Sequence, residues 1–320
     1  MTWLFIALGF LLLAGGGEIL VRGAVGAARA FNVSPLLIGL TLVGFGTSTP
    51  ELTTSLLAAF EGAPGIAVGN VVGSNIANIL LILGAAAMVR ALAITPQAYR
   101  RDGVVLAAST AVCAAAIFAG TLERWLGLIL VVLLVAYIVR AYFTERAEAG
   151  PEAEVHLHIA EDARPGPRKV WLSLLAALGG VALTVLGARL LVTGAVDLAR
   201  DLGISEAVIG LTIVAVGTSL PELVATLVAA ARRHCDVALG GVIGSNIYNV
   251  LGILGITAAV RPIPVPAQIA QLDVWVLIAA SLLLLLFLRT GWTLKRWEGA
   301  VFLVAYAGYV GFLFAQQGMI

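Results

Sequence analysis

Histidine and cysteine are nearly missing from this chain, with three of one and two of the other in 320 residues. His156, His158 and His234 fall between apolar runs, and Cys113 lies far in sequence from Cys235. Neither a disulfide framework nor a Cys/His metal centre can be assembled from them. A nucleophile with its base, or a histidine cluster that activates water, is equally out of reach, so the chain does not read as an enzyme. Glycine-rich phosphate loops of the dinucleotide or P-loop kind are missing, which speaks against a nucleotide cofactor and ATP-driven work. Charge is scarce too, at 12% with a net of +1, which leaves no basic face for nucleic acid. What is abundant is apolar surface: 61% hydrophobic residues and a mean hydropathy of +1.04. One water-soluble core cannot hide that much, and the chain belongs in a lipid bilayer.

Crossing about 30 Å of hydrocarbon takes about 20 apolar residues in a helix. Runs of that kind are read at 3–27, 34–60, 65–89, 102–121, 123–143, 170–198, 205–230, 237–260, 270–289 and 295–316. The expected fold is therefore an all-α membrane protein of ten transmembrane helices. The first run has no basic segment ahead of it and no small-residue cleavage pattern, so it is read as a retained helix and not as a signal peptide. Threading the ten runs puts fifteen of the nineteen Arg and Lys residues on one side; only Arg124, Arg200 and Arg261 fall on the other, and Arg189 lies within a run. The excess of positive charge marks the cytoplasmic side, so both termini are expected outside. The six tryptophans lie near predicted helix ends, as an interfacial belt requires.

Residues 34–84 and 205–255 align without a gap at a constant offset of 171, with 27 identities in 51 positions. Upstream, Leu20, Val21 and Gly23 meet Leu191, Val192 and Gly194 at the same offset. The chain thus divides into a first five-helix repeat, 1–143, a linker, 144–169, and a second repeat, 170–320. Five is odd, so the second copy enters the membrane from the opposite side and the repeats are inverted, an arrangement found in secondary transporters. The linker is rich in charge, Gly and Pro, and is expected to be a cytoplasmic tether.

The second run carries GTSTPEL and the seventh GTSLPEL, each placing a carboxylate, Glu51 or Glu222, near mid-membrane. An acidic residue there costs roughly 2.5–3.5 kcal/mol and usually faces a cavity or pathway. Pro50 and Pro221, read as lying inside helices, displace the carbonyls of Gly46 and Gly217 and release backbone oxygens. Thr47 and Thr218 sit one turn before the carboxylates, with Ser48 and Ser219 bordering that face. The next runs read GNVVGSNIANILLILG and GGVIGSNIYNVLGILG, which put Ser74 with Asn78 and Ser245 with Asn249 on one face each. Gly69 with Gly73, and Gly240 with Gly244, allow helix backbones to come close. The sum is an all-oxygen cage with two negative charges, suited to Ca2+, which takes six to eight oxygens, and poorly suited to a transition metal.

These motifs resemble the paired alpha-repeats of the cation/calcium exchanger superfamily, in its prokaryotic sodium/calcium exchanger branch. The resemblance rests on GTSTPEL with GSNIANILLILG and GTSLPEL with GSNIYNVLGILG. It implies a multi-pass protein of a prokaryotic inner membrane, with alternating access at a midplane site and the first and sixth helices sliding against the other eight. It implies that Glu51 and Glu222 bind Ca2+ and share Na+ sites, completed by Thr47, Ser48, Ser74, Thr218, Ser219, Ser245 and carbonyls near Gly44 and Ala215. Three Na+ against one Ca2+, the ratio such relatives imply, would respond to voltage at about 2.3 kcal/mol per 100 mV. Relatives that also carry potassium have Asp where this chain has Asn249, which speaks against potassium co-transport here. Exchange of Ca2+ for H+ on the same scaffold, and a passive cation channel, are the alternatives. Oligomeric state is not legible. Two further features carry no role at this level: Asn70 becomes Gly241 in the second copy, and Glu18 matches Arg189, with Arg22 as a competing local partner for Glu18.

Overall fold

With no water to satisfy main-chain groups, an apolar segment must close its own hydrogen bonds, and helices are the result. The computed structural model describes residues 2–31, 35–60, 62, 64–148, 167–201, 215–266 and 269–316. Among the described residues, the α-helices of twelve residues or more are α1 (Thr2–Phe31), α2 (Thr49–Phe60), α3 (Pro64–Ala77), α4 (Val104–Phe118), α5 (Arg124–Glu148), α6 (Pro167–Asp201), α7 (Leu220–Ala231), α8 (Cys235–Ile247), α9 (Val274–Arg289) and α10 (Arg296–Gln316). Among the described residues, eight helical stretches are long and apolar enough to cross a membrane, and α7 is a shorter apolar helix.

Two sequence expectations are corrected. The run 34–60 is not one helix: Pro35–Ile38, a π turn at Gly39–Val43 and Gly44–Thr47 precede α2, with a break at Ser48. The run 205–230 is described only from Ala215, where Ala215–Thr218 leads through a matching break at Ser219 into α7. The linker expected at 144–169 is described only at its two ends. Its first residues, TERAE, are mostly good helix formers and extend α5, while α6 starts at Pro167, a residue suited to a first helical turn. His156 and His158 lie outside the described residues.

α1 and α6 form an antiparallel pair along a glycine seam. Gly9, Gly16 and Gly23 recur every seven residues on one helix, Gly180, Gly187 and Gly194 on the other, and each meets the backbone of its partner. A Cβ added at Gly16 would stand 2.8 Å from the Thr184 nitrogen, and one at Gly187 2.8 Å from that of Leu13. Glycine at these positions is what lets the backbones touch.

α3 and α8 run on through π turns, Asn78–Leu83 and Tyr248–Leu254, into Gly84–Val89 and Gly255–Val260. They occupy the centre. The most apolar window of Cys235–Val260 is 94% buried, against 17% for that of Arg296–Ala315, so α10 turns most of its surface to lipid. Two short ribbons close the ends, β1 (Leu92–Ala93) on β4 (Thr293–Leu294) and β2 (Thr121–Leu122) on β3 (Ile263–Pro264). Each joins a strand of the first half to one of the second. Of the tryptophans, Trp3, Trp125, Trp171, Trp275 and Trp297 are exposed, as the belt requires.

Several contacts between the halves relate equivalent positions of the two copies. Thr110 donates to Ser281 at 3.2 Å, and these two residues are counterparts at the offset of 171. The two copies therefore meet at this pair. Within each half, the buried Asp102 accepts from Tyr137 at 3.1 Å and its counterpart Asp273 from Tyr309 at 2.8 Å; only Asp102 also holds an arginine, Arg101.

Candidate functional site

The breaks at Ser48 and Ser219 put both carboxylates in the first turn of a new helix. Ser48 (φ −81°, ψ 11°) and Ser219 (φ −90°, ψ 7°) leave helical geometry one residue before α2 and α7 begin. Pro50 and Pro221 then occupy the first turn, where a missing N–H costs nothing. This corrects the expectation of a proline inside a continuous helix. In the first copy its consequence for the backbone oxygens is corrected too, because the Gly46 carbonyl accepts from the Thr49 hydroxyl at 2.8 Å. What the break provides is a helix N-terminus aimed at each carboxylate, which stabilises negative charge.

Glu51 is 1% exposed and Glu222 4%. Each is held by the other half: Ser48 donates to Glu222 Oε1 at 2.8 Å, and Ser219 donates to Glu51 Oε1 at 3.2 Å. Ser48 and Glu51 share one copy, Ser219 and Glu222 the other, so the two contacts are equivalents related by the offset of 171.

Further oxygens converge on the same place. The segment Gly39–Gly44 is pressed against α8, where a Cβ on Gly44 would stand 2.9 Å from the Ser245 nitrogen. The Ser245 hydroxyl therefore reaches the Gly44 carbonyl at 3.1 Å and the Ser48 hydroxyl at 3.1 Å. Ser48–Glu222, Ser48–Ser245 and Ser245–Gly44 are three oxygen–oxygen contacts that share two hydroxyl protons. One pair at a time faces without a proton between its members, an arrangement a cation relieves.

Asn78 and Asn249 belong to the π turns and are buried. Among the described residues, five buried side-chain polar atoms have no hydrogen-bond partner, and four are Glu51 Oε2, Glu222 Oε2, Asn78 Oδ1 and Asn249 Oδ1. All four are acceptors, in two symmetric pairs, and buried acceptors without donors are costly unless something positive meets them. No group of three His, Cys, Asp or Glu side chains occurs among the described residues, so the donors beyond the two carboxylates are hydroxyls, amides and carbonyls. That is hard-cation chemistry.

The remaining expected ligands fall as follows. Thr47 is buried, but its hydroxyl donates to the Val43 carbonyl at 2.9 Å. Ser74 is buried on α3, Thr218 is partly buried, and Ala215 starts the short helix before Ser219. Sequence reasoning missed Asn75 and Asn246, which bridge the halves: Asn78 Nδ2 donates to Asn246 Oδ1 at 2.9 Å and Asn249 Nδ2 to Asn75 Oδ1 at 2.8 Å. Their signal was present, since both sit in the duplicated GSN motif.

The difference between Asn70 and Gly241 now has a cause. Asn70 donates to the Glu51 carbonyl at 3.0 Å and to Ser55 at 2.9 Å, tying α2 to α3. Gly241 has no side chain to make the equivalent bonds, and a Cβ there would stand in ordinary contact with Val43 at 3.6 Å. Glu18 does not pair with Arg189. It binds Arg22 at 2.5 Å and Arg232, at the end of α7, at 2.9 Å.

Known proteins carry the same plan. The family model described as sodium/calcium exchanger protein matches residues 1–143 and 172–315. The sodium/calcium exchanger MaX1 of Methanosarcina acetivorans is 35% identical, covering 98% of this chain and 99% of that protein. The inner membrane protein YrbG of Escherichia coli is 36% identical over 80% of this chain and 79% of its own. A solved structure of the sodium-calcium exchanger NCX_Mj, soaked with Na+ and Sr2+, superposes with a TM-score of 0.84 at 34% identity, covering 97% of each chain. With a family match over most of its length, and a buried pair of carboxylates cross-held between two halves, this chain belongs to the sodium/calcium exchanger family.

Proposed function

We propose that the protein exchanges Ca2+ for Na+ across the membrane by alternating access, at one site shared by Glu51 and Glu222. The observation that carries this reading is the reciprocal grip of Ser48 on Glu222 and Ser219 on Glu51, with one oxygen of each carboxylate left without a donor. Thr47, Ser74, Asn78, Thr218, Ser245, Asn249 and the carbonyls of Gly44 and Ala215 complete the shell in this reading. Ten crossings in two inverted repeats, with both termini outside and 144–169 in the cytoplasm, accord with the reciprocal contacts and the basic-residue asymmetry. The name of the YrbG relative supports an inner-membrane location.

Coupling follows from electrostatics. Without a cation, two carboxylates stand close together in a site that water does not solvate, and carrying that charge across the midplane is costly. Ca2+, or several Na+, neutralises it, so the loaded states switch and the unloaded state does not. α1 and α6, held to each other along their glycine seam, are the pair that slides.

The test is Ca2+ flux into proteoliposomes under an imposed Na+ gradient with no pH gradient. Na+-dependent uptake is expected, lost in Glu51→Gln and in Glu222→Gln. Uptake that follows a proton gradient and ignores Na+ would replace this reading with Ca2+/H+ exchange, and flux indifferent to the ion on the far side would replace it with a channel.

A further inference from the structure

The four central asparagines form a relay with a fixed polarity. Asn246 Nδ2 donates to the Asn75 carbonyl at 3.4 Å, and Asn75 Nδ2 donates to the Asn246 carbonyl at 3.3 Å. A backbone carbonyl only accepts, so each of these amides must turn its NH2 toward the main chain and its oxygen the other way. Those oxygens meet Asn78 and Asn249, which must answer with NH2, at 2.9 and 2.8 Å. Asn78 Oδ1 and Asn249 Oδ1 are thereby left as the free ends, and both are buried without a donor. The π turn of Asn249 packs on α2, which bears Glu51, and that of Asn78 on α7, which bears Glu222.

We infer that Asn75 and Asn246 are positioning residues that fix which end of the Asn249 and Asn78 amides faces the transported cation. An asparagine has nearly the same shape either way round, but one orientation offers an oxygen ligand and the other two N–H groups that repel a cation. Local packing discriminates poorly between the two. The backbone carbonyls of Asn75 and Asn246 discriminate fully, and the relay transmits that choice across the interface between the halves. The inference rests on the cation-site reading above.

The experiment exploits a side chain that cannot be wrongly turned. The carboxylate introduced by Asn249→Asp presents oxygen in either orientation, so it needs no relay. Ca2+ affinity is measured by calorimetry on purified protein for the parent, Asn75→Ala, Asn249→Asp and the double variant, with thermal melting as a check on folding. Asn75→Ala is expected to weaken Ca2+ binding by about tenfold in the parent, the scale of one misplaced buried polar group, and by less than about threefold when Asn249→Asp is already in place. An unchanged affinity in Asn75→Ala, or the same loss in both backgrounds, overturns the inference. Should Asn75→Ala not fold, Asn246→Ala with Asn78→Asp runs the same cycle from the other half. Failure of both alanine variants and both doubles to fold would mark the asparagines as purely structural and overturn it equally. If instead Asn249→Asp and Glu51→Gln leave Ca2+ binding untouched, the cation-site reading itself has failed.

Discussion

At the scale of single residues, the candidate site is marked by buried acceptors without donors. Ser48 is the residue where the proposed site is most exposed to test, since its hydroxyl donates to Glu222. Hydrogen bonds to charged groups contribute about 1.5–3 kcal/mol, so Ser48→Ala is expected to weaken Ca2+ binding by roughly tenfold or more. Titration of Ca2+ into the purified variant checks this, and an unchanged affinity would remove Ser48 from the site. The buried carboxylates and the serines that hold them were legible in the sequence because each occurs twice in the same register. The roles of Asn75, Asn246 and Arg232 were not. Their partners lie 171, 171 and 214 positions away, and no helical periodicity links residues on different halves of a fold.

At the scale of elements, two devices matter: the broken helix and the glycine seam. Hydropathy located the helices well but read Pro50 as a kink within a helix. The break falls instead at Ser48, because a proline is cheapest in a first turn and the adjoining carbonyls find local hydroxyls. The seam predicts a sharp positional contrast. Gly187→Val would drive a side chain into the Leu13 backbone and is expected to cost at least about 1–3 kcal/mol through overpacking. Gly15→Ala, on the exposed face of α1, is expected to be neutral or stabilising by up to about 1 kcal/mol. Thermal unfolding in detergent separates the two, and equal melting temperatures would show that α1 and α6 do not touch there. Glu18 belongs to this scale as well, since its bridge to Arg232 ties α1 to α7. Both partners are partly exposed, and such pairs contribute about 0–1 kcal/mol. Glu18→Gln is expected to change exchange rate by less than about fivefold and leave Ca2+ affinity unchanged; a lost affinity would make Glu18 a ligand.

At the scale of the molecule, the account is one of symmetry broken only where it is useful. The offset of 171 recurs in the sequence and in the cross-held carboxylates, and to within a residue in the strand ribbons and the Asp–Tyr pairs. The duplication was therefore readable in advance, whereas its meeting at Thr110 and Ser281 needed coordinates. Inversion predicts a topology that labelling can read. In intact cells, a membrane-impermeant thiol reagent is expected to reach Gln316→Cys and not Val155→Cys, each in a background with Cys113 and Cys235 replaced. The opposite pattern would reverse the orientation.

The most direct test of the central claim is the number of Ca2+ ions bound per protein in Glu51→Gln, Glu222→Gln and the parent, by equilibrium calorimetry. Because one pocket is assembled from both halves, either single substitution is expected to remove the whole of the specific binding. Retention of half of it in each variant would mean two independent sites, and the shared pocket would not exist.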